Sequence, residues 1–387
     1  MIKAFDYRRG HERLRDEIDA AVQRVLASGR LLLGPEGEAF EGEFAAWAGS
    51  RHGVAVGSGT DAIVIALKAL GVGAGDEVIT VSHTAVPTVS AIREVWAVPR
   101  FIDVEDDTLL MDPRQIESAI GPRTRAIVLV HLYGRPARVP EVLQIARRHN
   151  LCVIEDCAQA HGARIDGRHV GTFGDVGCFS FYPTKNLGAY GDGGLCVTGD
   201  PLLAERMRRL RFYGFDGRRV SQMDGINSRM DELQAAILRV KLRHLDESLQ
   251  ARRALAARYL KRLASTDLRL PAIGPRCEHA WHLFVVRTCR RAEIIAALQE
   301  ADVEYGIHYP HPIHLMPAFE RFGGGAGSLP VTERAAGEVL SLPLYAELTM
   351  REVRTVCSVL ADAWALEIAG PVRWADERER VSADGGR

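Results

Sequence analysis

The sequence predicts an α/β fold: a large domain whose mostly parallel mixed sheet is sandwiched by helices, followed by a smaller α+β domain. Two observations carry this. Through the first two-thirds of the chain, short apolar runs alternate with amphipathic segments, and such alternation requires crossover connections that make neighbouring strands parallel. After Pro271 the pattern changes to mixed short elements. The boundary is drawn at Asp246, giving residues 1–245 and 246–387, with about 371–387 as a polar tail.

Taken in order, Val54–Val56, Glu77–Val81, Arg100–Ile102, Ala126–Val130, Leu151–Ile154 and Val176–Ser180 read as buried strands. Asp61–Leu70, Pro87–Val95, Pro113–Ile120 and Val139–His149 read as the helices between them. Met230–Leu263, rich in Ala, Leu, Arg and Glu, is one or two long helices. Beyond it, Ala280–Arg287 and Val303–Ile307 read as strands, and Ala292–Ala301 and Met350–Ala365 as helices. Gly323–Ser328 is a flexible loop, read as a surface insertion rather than a flap. Ligands of a parallel sheet sit at the carboxyl ends of its strands.

The first strand leads into a turn, Gly57-Ser-Gly-Thr-Asp-Ala62, with G-x-G-x-x-A spacing. A dinucleotide site needs an acidic residue ending the next strand, to hold a ribose. That strand ends instead in Ser82-His83-Thr84. What remains is a helix N-terminus with free N–H groups and two hydroxyls, suited to one phosphomonoester. An ordinary tight turn with a threonine cap would read the same way.

Composition narrows the class. Apolar residues make up 47% and charged residues 26% of the 387, enough for a sizeable core. A formal charge of −1 without basic blocks argues against nucleic-acid binding. Seven scattered cysteines without a C-x-x-C pair point to a reducing cytoplasm. The first residues lack the apolar core of a signal peptide, and no run nears the roughly 18 apolar residues of a membrane span.

Two further stretches identify a chemistry. Val153-Ile-Glu-Asp156 is an apolar strand ending in a carboxylate at the ligand edge. In Gly177–Gly194 a buried strand runs into a glycine-rich loop carrying Lys185, the only lysine between Lys68 and Lys241, among Phe181, Tyr182, Pro183, Asn186 and Leu187. An amine that forms a Schiff base, an acid that keeps a pyridine nitrogen protonated and a helix N-terminus for a phosphate together make a site for pyridoxal phosphate (PLP).

The sequence also resembles the DegT-type sugar aminotransferases (the DegT–StrS group) of the fold-type I PLP class, over nearly its whole length. The resemblance rests on Ser28-Gly29 with Gly34-Pro35, Gly57–Ala62, Asp156 with Gln159 and His161-Gly162, Ser180–Asn186 with Gly191–Gly194, Tyr213-Gly214, Asn227–Ala235, His308–Pro310 with His314, and Leu342-Pro343. It implies that Lys185 binds the cofactor aldehyde and shuttles a proton, and that Asp156 pairs with the pyridinium. Gln159 would bond the 3-hydroxyl, and Gly59, Thr60 and Ser180 would hold the phosphate. Asn227 would reach the phosphate of a neighbouring subunit, making a homodimer the minimal active unit. Many relatives cover the pyridine ring with an aromatic residue where this chain has Ala85, which leaves His83 as the residue expected to stack.

The implied reaction is transfer of an amine from an amino acid, L-glutamate by expectation, to a nucleotide-linked keto sugar. Tyr182, Arg229, His308, Tyr309 and His314 are the expected substrate contacts. The motifs are more similar to relatives that aminate C-3 than to those that aminate C-4. A dehydratase is disfavoured because such relatives carry histidine at the lysine position; a PLP-binding regulator without turnover is the remaining alternative. Zinc is not expected: prolines within His308-Tyr-Pro-His-Pro-Ile-His314 prevent a helix that would converge the imidazoles. The acidic run Asp103–Asp107 reads as a solvated strand-end loop, and no G-x-S-x-G elbow is present.

Overall fold

The computed structural model describes residues 1–365, so the expected polar tail lies outside the described residues. Helices α1 (Tyr7–Ser28) and α2 (Pro35–Ala48) come first. Strands β1 (His52–Val56), β2 (Glu77–Val81), β3 (Val98–Ile102), β4 (Thr124–Val130) and β5 (Cys152–Asp156) follow. Between them lie α3 (Gly59–Ala69), α4 (Val86–Glu94), the single turn α5 (Ile116–Ala119) and α6 (Val139–Arg148). A small hairpin, β6 (Arg164–Ile165) and β7 (Arg168–His169), precedes β8 (Val176–Ser180), β9 (Gly194–Thr198) and α7 (Pro201–Leu210).

The main sheet has the order β1-β9-β8-β5-β4-β2-β3. Strand β9 is antiparallel to both neighbours and the other pairings are parallel. β1, β5 and β8 therefore all present their carboxyl ends at one edge. Alternation along the strands explains the two helical layers. Val54, Val56, Val78, Val128 and Ile154 pack under α3, α4 and α7, while Ala55, Ile79, Ile127, Leu129 and Val153 pack under α2 and α6. The expected strands and inter-strand helices are found within two residues at each end, except that Pro113–Ile120 begins with a 3₁₀ turn.

The long helical stretch is two helices, α8 (Glu232–Arg243) and α9 (Leu245–Leu263). The remaining elements are β10 (Cys277–Glu278), β11 (Phe284–Arg287), α10 (Arg291–Glu300), α11 (Pro330–Glu338), β12 (Val339–Leu342) and α12 (Met350–Ala365). Leu255, Tyr259, Phe284, Leu298, Leu340 and Val356 form a separate apolar core, against which Ile2 and Phe5 also pack. Among the described residues no helix is long and apolar enough to cross a membrane.

Three local readings are corrected. Val303–Ile307 is not a strand; it makes only single bridges, Ile2 with Val303 and Gly306 with Ser341. β11 is shorter than expected because Ala280 donates to Gly134, and His282 and Leu283 donate to the Tyr133 carbonyl, rather than to a strand. Asp103–Asp107 is not simply solvated. Asp103 is buried and accepts from the Val331 and Thr332 amides (2.8 and 2.9 Å), capping α11 from a distant part of the chain. Asp106 meets Arg269, Arg287 and Arg334, and these cations hold its carboxyl well below the usual range although burial opposes them. The glycine loop at 323–328 is tied down as well: Glu333 accepts from the amides of Gly327 and Leu329.

Asp103→Ala is expected to lower stability to denaturant by about 1–3 kcal/mol, because one buried and one partly buried amide lose their acceptor. An unchanged urea midpoint would show that the cap contributes nothing.

Candidate active site

Three chain segments meet beyond the carboxyl ends of β1, β5 and β8. The first is the turn into α3. The Ser58 hydroxyl caps this helix by accepting from the Asp61 amide at 3.1 Å, so the cap is serine rather than threonine. The Ser228 hydroxyl locks the same turn, accepting from Gly57 N–H (2.9 Å) and donating to Asp61 (2.7 Å). Gly59 is required here: a Cβ on it would lie 2.5 Å from Ser180 Cβ. The close approach brings the Ser180 hydroxyl to the helix N-terminus, where the Gly59 and Thr60 backbone N–H groups have no intrahelical acceptor.

The second segment is Asp156. It is buried, with Oδ2 accepting from the Thr88 hydroxyl at 2.8 Å and Oδ1 from the Ala158 amide at 3.1 Å. Next to it in sequence, Glu155 points to the opposite face, as β-strand geometry demands. Burial would raise its carboxyl, but His131 and the amides of Gly171 and Gly174 outweigh that and pull it below the usual range. His131 Nδ1 accepts from the Ala137 amide at 3.0 Å, so Nε2 carries the proton and donates to Glu155 at 3.1 Å. His131, Glu155 and Cys157 are the one group of the described residues close enough to share a metal. Glu155 is already saturated by His131, Gly171, Phe173 and Gly174, which makes this a structural anchor.

The third segment is the loop after β8. Lys185 donates its backbone N–H to Tyr182 and is held beside Asn186, whose Nδ2 donates to the Ala280 carbonyl at 2.8 Å. Burial lowers the Lys185 amine from 10.5 to about 8, and Asp156 opposes that pull. Lys241 is also lowered to about 8 by burial, but its amine is spent on the Gly188 carbonyl and the Tyr190 ring, away from Asp156.

A cavity of about 380 Å³ joins these segments, and Gly59, Thr60, Asp156, Gln159, Ser180, Tyr182 and Lys185 all line it. Its donor set fits PLP: a carboxylate for a ring nitrogen, an amine for an aldehyde, and helix amides with hydroxyls for a phosphate. The apolar side chains of Ala85, Ala158 and Leu132 supply wall surface for a flat ring.

Other expected residues fall elsewhere. His83 is not brought to the cavity. It is buried with Nε2 bonded to the Tyr133 hydroxyl (2.8 Å) and its ring edge-on to Tyr133, and burial lowers it to about 4. Ala85 faces the cavity in its place. Tyr309 and His308 reach the site indirectly. Gln159 donates to the Tyr309 hydroxyl (2.8 Å) while accepting from the Tyr133 amide (2.7 Å), and His308 bonds Ser341 (2.8 Å). His314 is fully buried between Ser82 (2.7 Å) and Glu333 (3.1 Å), a strut rather than a cavity residue. Asn227 is exposed, accepts from Arg229 Nε at 2.9 Å, and lines no part of this cavity; Arg229 also sits over the Phe212 ring.

Sequence reading missed Thr88 and Tyr133. Thr88 has only a helical position as a signal. Tyr133 adopts a left-handed backbone (φ 61°), places its amide on Gln159, and donates its hydroxyl to the His308 carbonyl.

Comparison with known proteins identifies the family and the fold. Residues 12–361 match the model of the DegT/DnrJ/EryC1/StrS aminotransferase family. The dTDP-3-amino-3,4,6-trideoxy-alpha-D-glucose transaminase of Micromonospora megalomicea subsp. nigra is 51% identical over 344 residues, covering 87% of this chain and 92% of that protein. The crystal structure of Streptomyces venezuelae DesV in complex with a ketimine intermediate superposes with a TM-score of 0.91 at 48% identity, covering 92% and 96% of the two chains. Bacillus subtilis NtdA with bound PMP, the amine form of PLP, gives 0.85 at 33% identity, covering 90% and 82%.

Two measurements check the site. Condensation of the protein freed of cofactor with added PLP should accelerate as pH rises through about 8 and then level off, because the uncharged amine is the reactive form. Borohydride reduction of the loaded protein should place the cofactor mass on the peptide carrying Lys185; label on Lys241 would move the anchor.

Proposed function

The chain belongs to the DegT/DnrJ/EryC1/StrS aminotransferase family, and from that premise we propose that it transfers an amine from L-glutamate to C-3 of a nucleotide-linked keto sugar. The observation that carries the reading is the placement of Lys185 and Asp156 on one cavity with a helix N-terminus. The named Micromonospora relative, a transaminase of a 3-amino sugar, supports both the substrate class and the position.

PLP, when bound, supplies the aldehyde that takes up the donor's amine and a ring that withdraws electrons from the reacting carbon. Asp156 holds the ring nitrogen by its carboxylate. Gln159 Nε2, with Oε1 already committed to Tyr133, has a remaining N–H for the ring hydroxyl. Gly59, Thr60 and Ser180 hold the phosphate. Lys185 Nζ moves the proton at the amine-bearing carbon; its lowered basicity leaves a useful uncharged fraction near neutral pH. Of the expected sugar contacts, the exposed Tyr182 lines the cavity itself.

The unit that works is a homodimer in the cytoplasm. Asn227 and Arg229 lie outside their own chain's cavity, and the exposed apolar side chains of Leu31, Leu32, Leu33 and Tyr213 supply surface for a subunit contact. Seven free cysteines suit a reducing compartment. On this reading residues 1–245 form the cofactor-binding domain and 246–387 the smaller one, a division supported by the second apolar core.

The purified protein, given PLP, L-glutamate and a panel of 3-keto and 4-keto nucleotide sugars, should yield a product whose mass and NMR spectrum place the new amine at C-3. Exclusive amination at C-4 would overturn the regiochemistry. A bound cofactor whose absorbance is indifferent to every amino donor would overturn the transferase reading.

A further inference from the structure

We propose that Thr84 and Thr88 form a one-way hydroxyl relay that positions Asp156 against the cofactor ring, with Thr88 the positioning residue. The inference rests on the PLP reading of the cavity but not on the identity of the sugar.

Both threonines are buried and both line the cavity. Thr88 Oγ1 lies 2.8 Å from Asp156 Oδ2, and Thr84 Oγ1 lies 3.1 Å from Thr88 Oγ1. Geometry alone leaves the direction of the second bond open, but proton counting settles it. An ionised carboxylate has no proton to give, so the single hydroxyl proton of Thr88 goes to Asp156. The proton between the two threonines then belongs to Thr84. Thr84 is left with lone pairs alone for anything else in the cavity.

The Asp156 carboxylate is thereby pinned at both oxygens, by Thr88 on Oδ2 and by the Ala158 amide on Oδ1. Each oxygen keeps a further lone pair for a ligand. Fixing the carboxylate plane before the ring arrives removes an ordering cost on binding.

A second observation argues that the two hydroxyls serve the site rather than the helix. Helix α4 starts with Ala85 at its N-cap and has no side-chain cap. Ser, Thr, Asp or Asn is the usual residue at that position; here Thr84 precedes it and Thr88 is the third residue of the helix, and neither hydroxyl caps it. The two hydroxyls run to each other and to Asp156. A locally suboptimal helix start beside a cavity is the kind of conflict that marks a site.

The test uses three variants in the full-length protein: Thr88→Val, which keeps the shape and removes the donor, Thr88→Ser, which restores it, and Thr84→Val. PLP affinity is measured by titrating the cofactor-free protein, and kcat and KM by steady-state turnover at saturating PLP. Loss of a hydrogen bond to a charged acceptor should weaken PLP binding about 10- to 100-fold in Thr88→Val. Its kcat should fall while KM for the sugar stays within about twofold, because the lost contact acts on the ring and not on the substrate. Thr88→Ser should lie within about threefold of the parent, and Thr84→Val should be impaired less than Thr88→Val.

Three results would each overturn the proposal. One is PLP binding and kcat in Thr88→Val equal to the parent. Another is Thr88→Ser as damaged as Thr88→Val, which would mean that the methyl group matters and not the hydroxyl. The third is Thr84→Val more damaged than Thr88→Val. If Thr88→Val fails to fold, Thr88→Ala, which also removes the donor, takes its place in each comparison. A parent protein that binds PLP yet aminates no sugar would sink the substrate reading and leave the relay standing.

Discussion

The site depends on keeping two opposite charges in one cavity without letting them meet. Lys185 and Asp156 feel each other, since the carboxylate raises the basicity of the amine, yet they line one cavity without pairing. Left free, a lysine and an aspartate on one partly dry cavity would attract each other into the space a ring needs. Both ends are restrained. Asp156 is pinned at each oxygen, and the loop carrying Lys185 is tied back by hydrogen bonds from Ala189 to Phe181 and from Asn186 to Ala280. The neighbours of Lys185 also keep positive charge low. His161, buried among Phe44, Phe179 and Phe181, is pulled to about 3 by burial and by Lys185 itself, and His282 is lowered for the same reasons.

Rigidity at this edge comes from buried carboxylates that bind backbone amides. Glu155 gathers the amides of Gly171, Phe173 and Gly174 and the His131 ring, fixing the approach to β8. Glu232 does the same for the start of α2, accepting from Gly34, Glu36 and Gly37 at 2.8–2.9 Å. A Cβ on Gly34 or Gly37 would lie 2.7 Å from that carboxylate, so the glycines and the glutamate require each other across almost two hundred residues. Such acids look alike in sequence. Glu155 and Asp156 are adjacent, and strand alternation sends one to a structural network and the other to the cavity.

Much of this was legible in the sequence because it rests on short-range patterns. Short continuous apolar runs marked the strands, buried on both faces in β2 and β8, and the glycine turn, the strand-ending acid and the isolated lysine each sit where a parallel sheet gathers its ligand edge. What was not legible depends on long-range partners. The run Asp103–Asp107 looked solvated because its partners, α11 and Arg269, Arg287 and Arg334, come from more than 150 residues later. His83 looked like a ring cover because it is two residues from Ala85; the structure turns it onto Tyr133, whose left-handed backbone no pattern announces. His314 shared a motif with His308 but became a strut, since Ser82 and Glu333 satisfy both its nitrogens.

Perturbed basicity alone would have misidentified the site. Lys185 and Lys241 are both desolvated to about 8, and a search on that value would rank them together. The difference is what each amine has left to do. Lys241 has a carbonyl and an aromatic face as partners, so its lowered value reports a satisfied buried cation. Among the described residues Lys185 has no hydrogen-bond partner for its amine, and it faces a cavity that also holds an acid and a helix N-terminus. An amine that opens onto a cavity with no protein acceptor stays available to a ligand. The missing partner, and not the shifted basicity, is what marks Lys185 as the residue that binds.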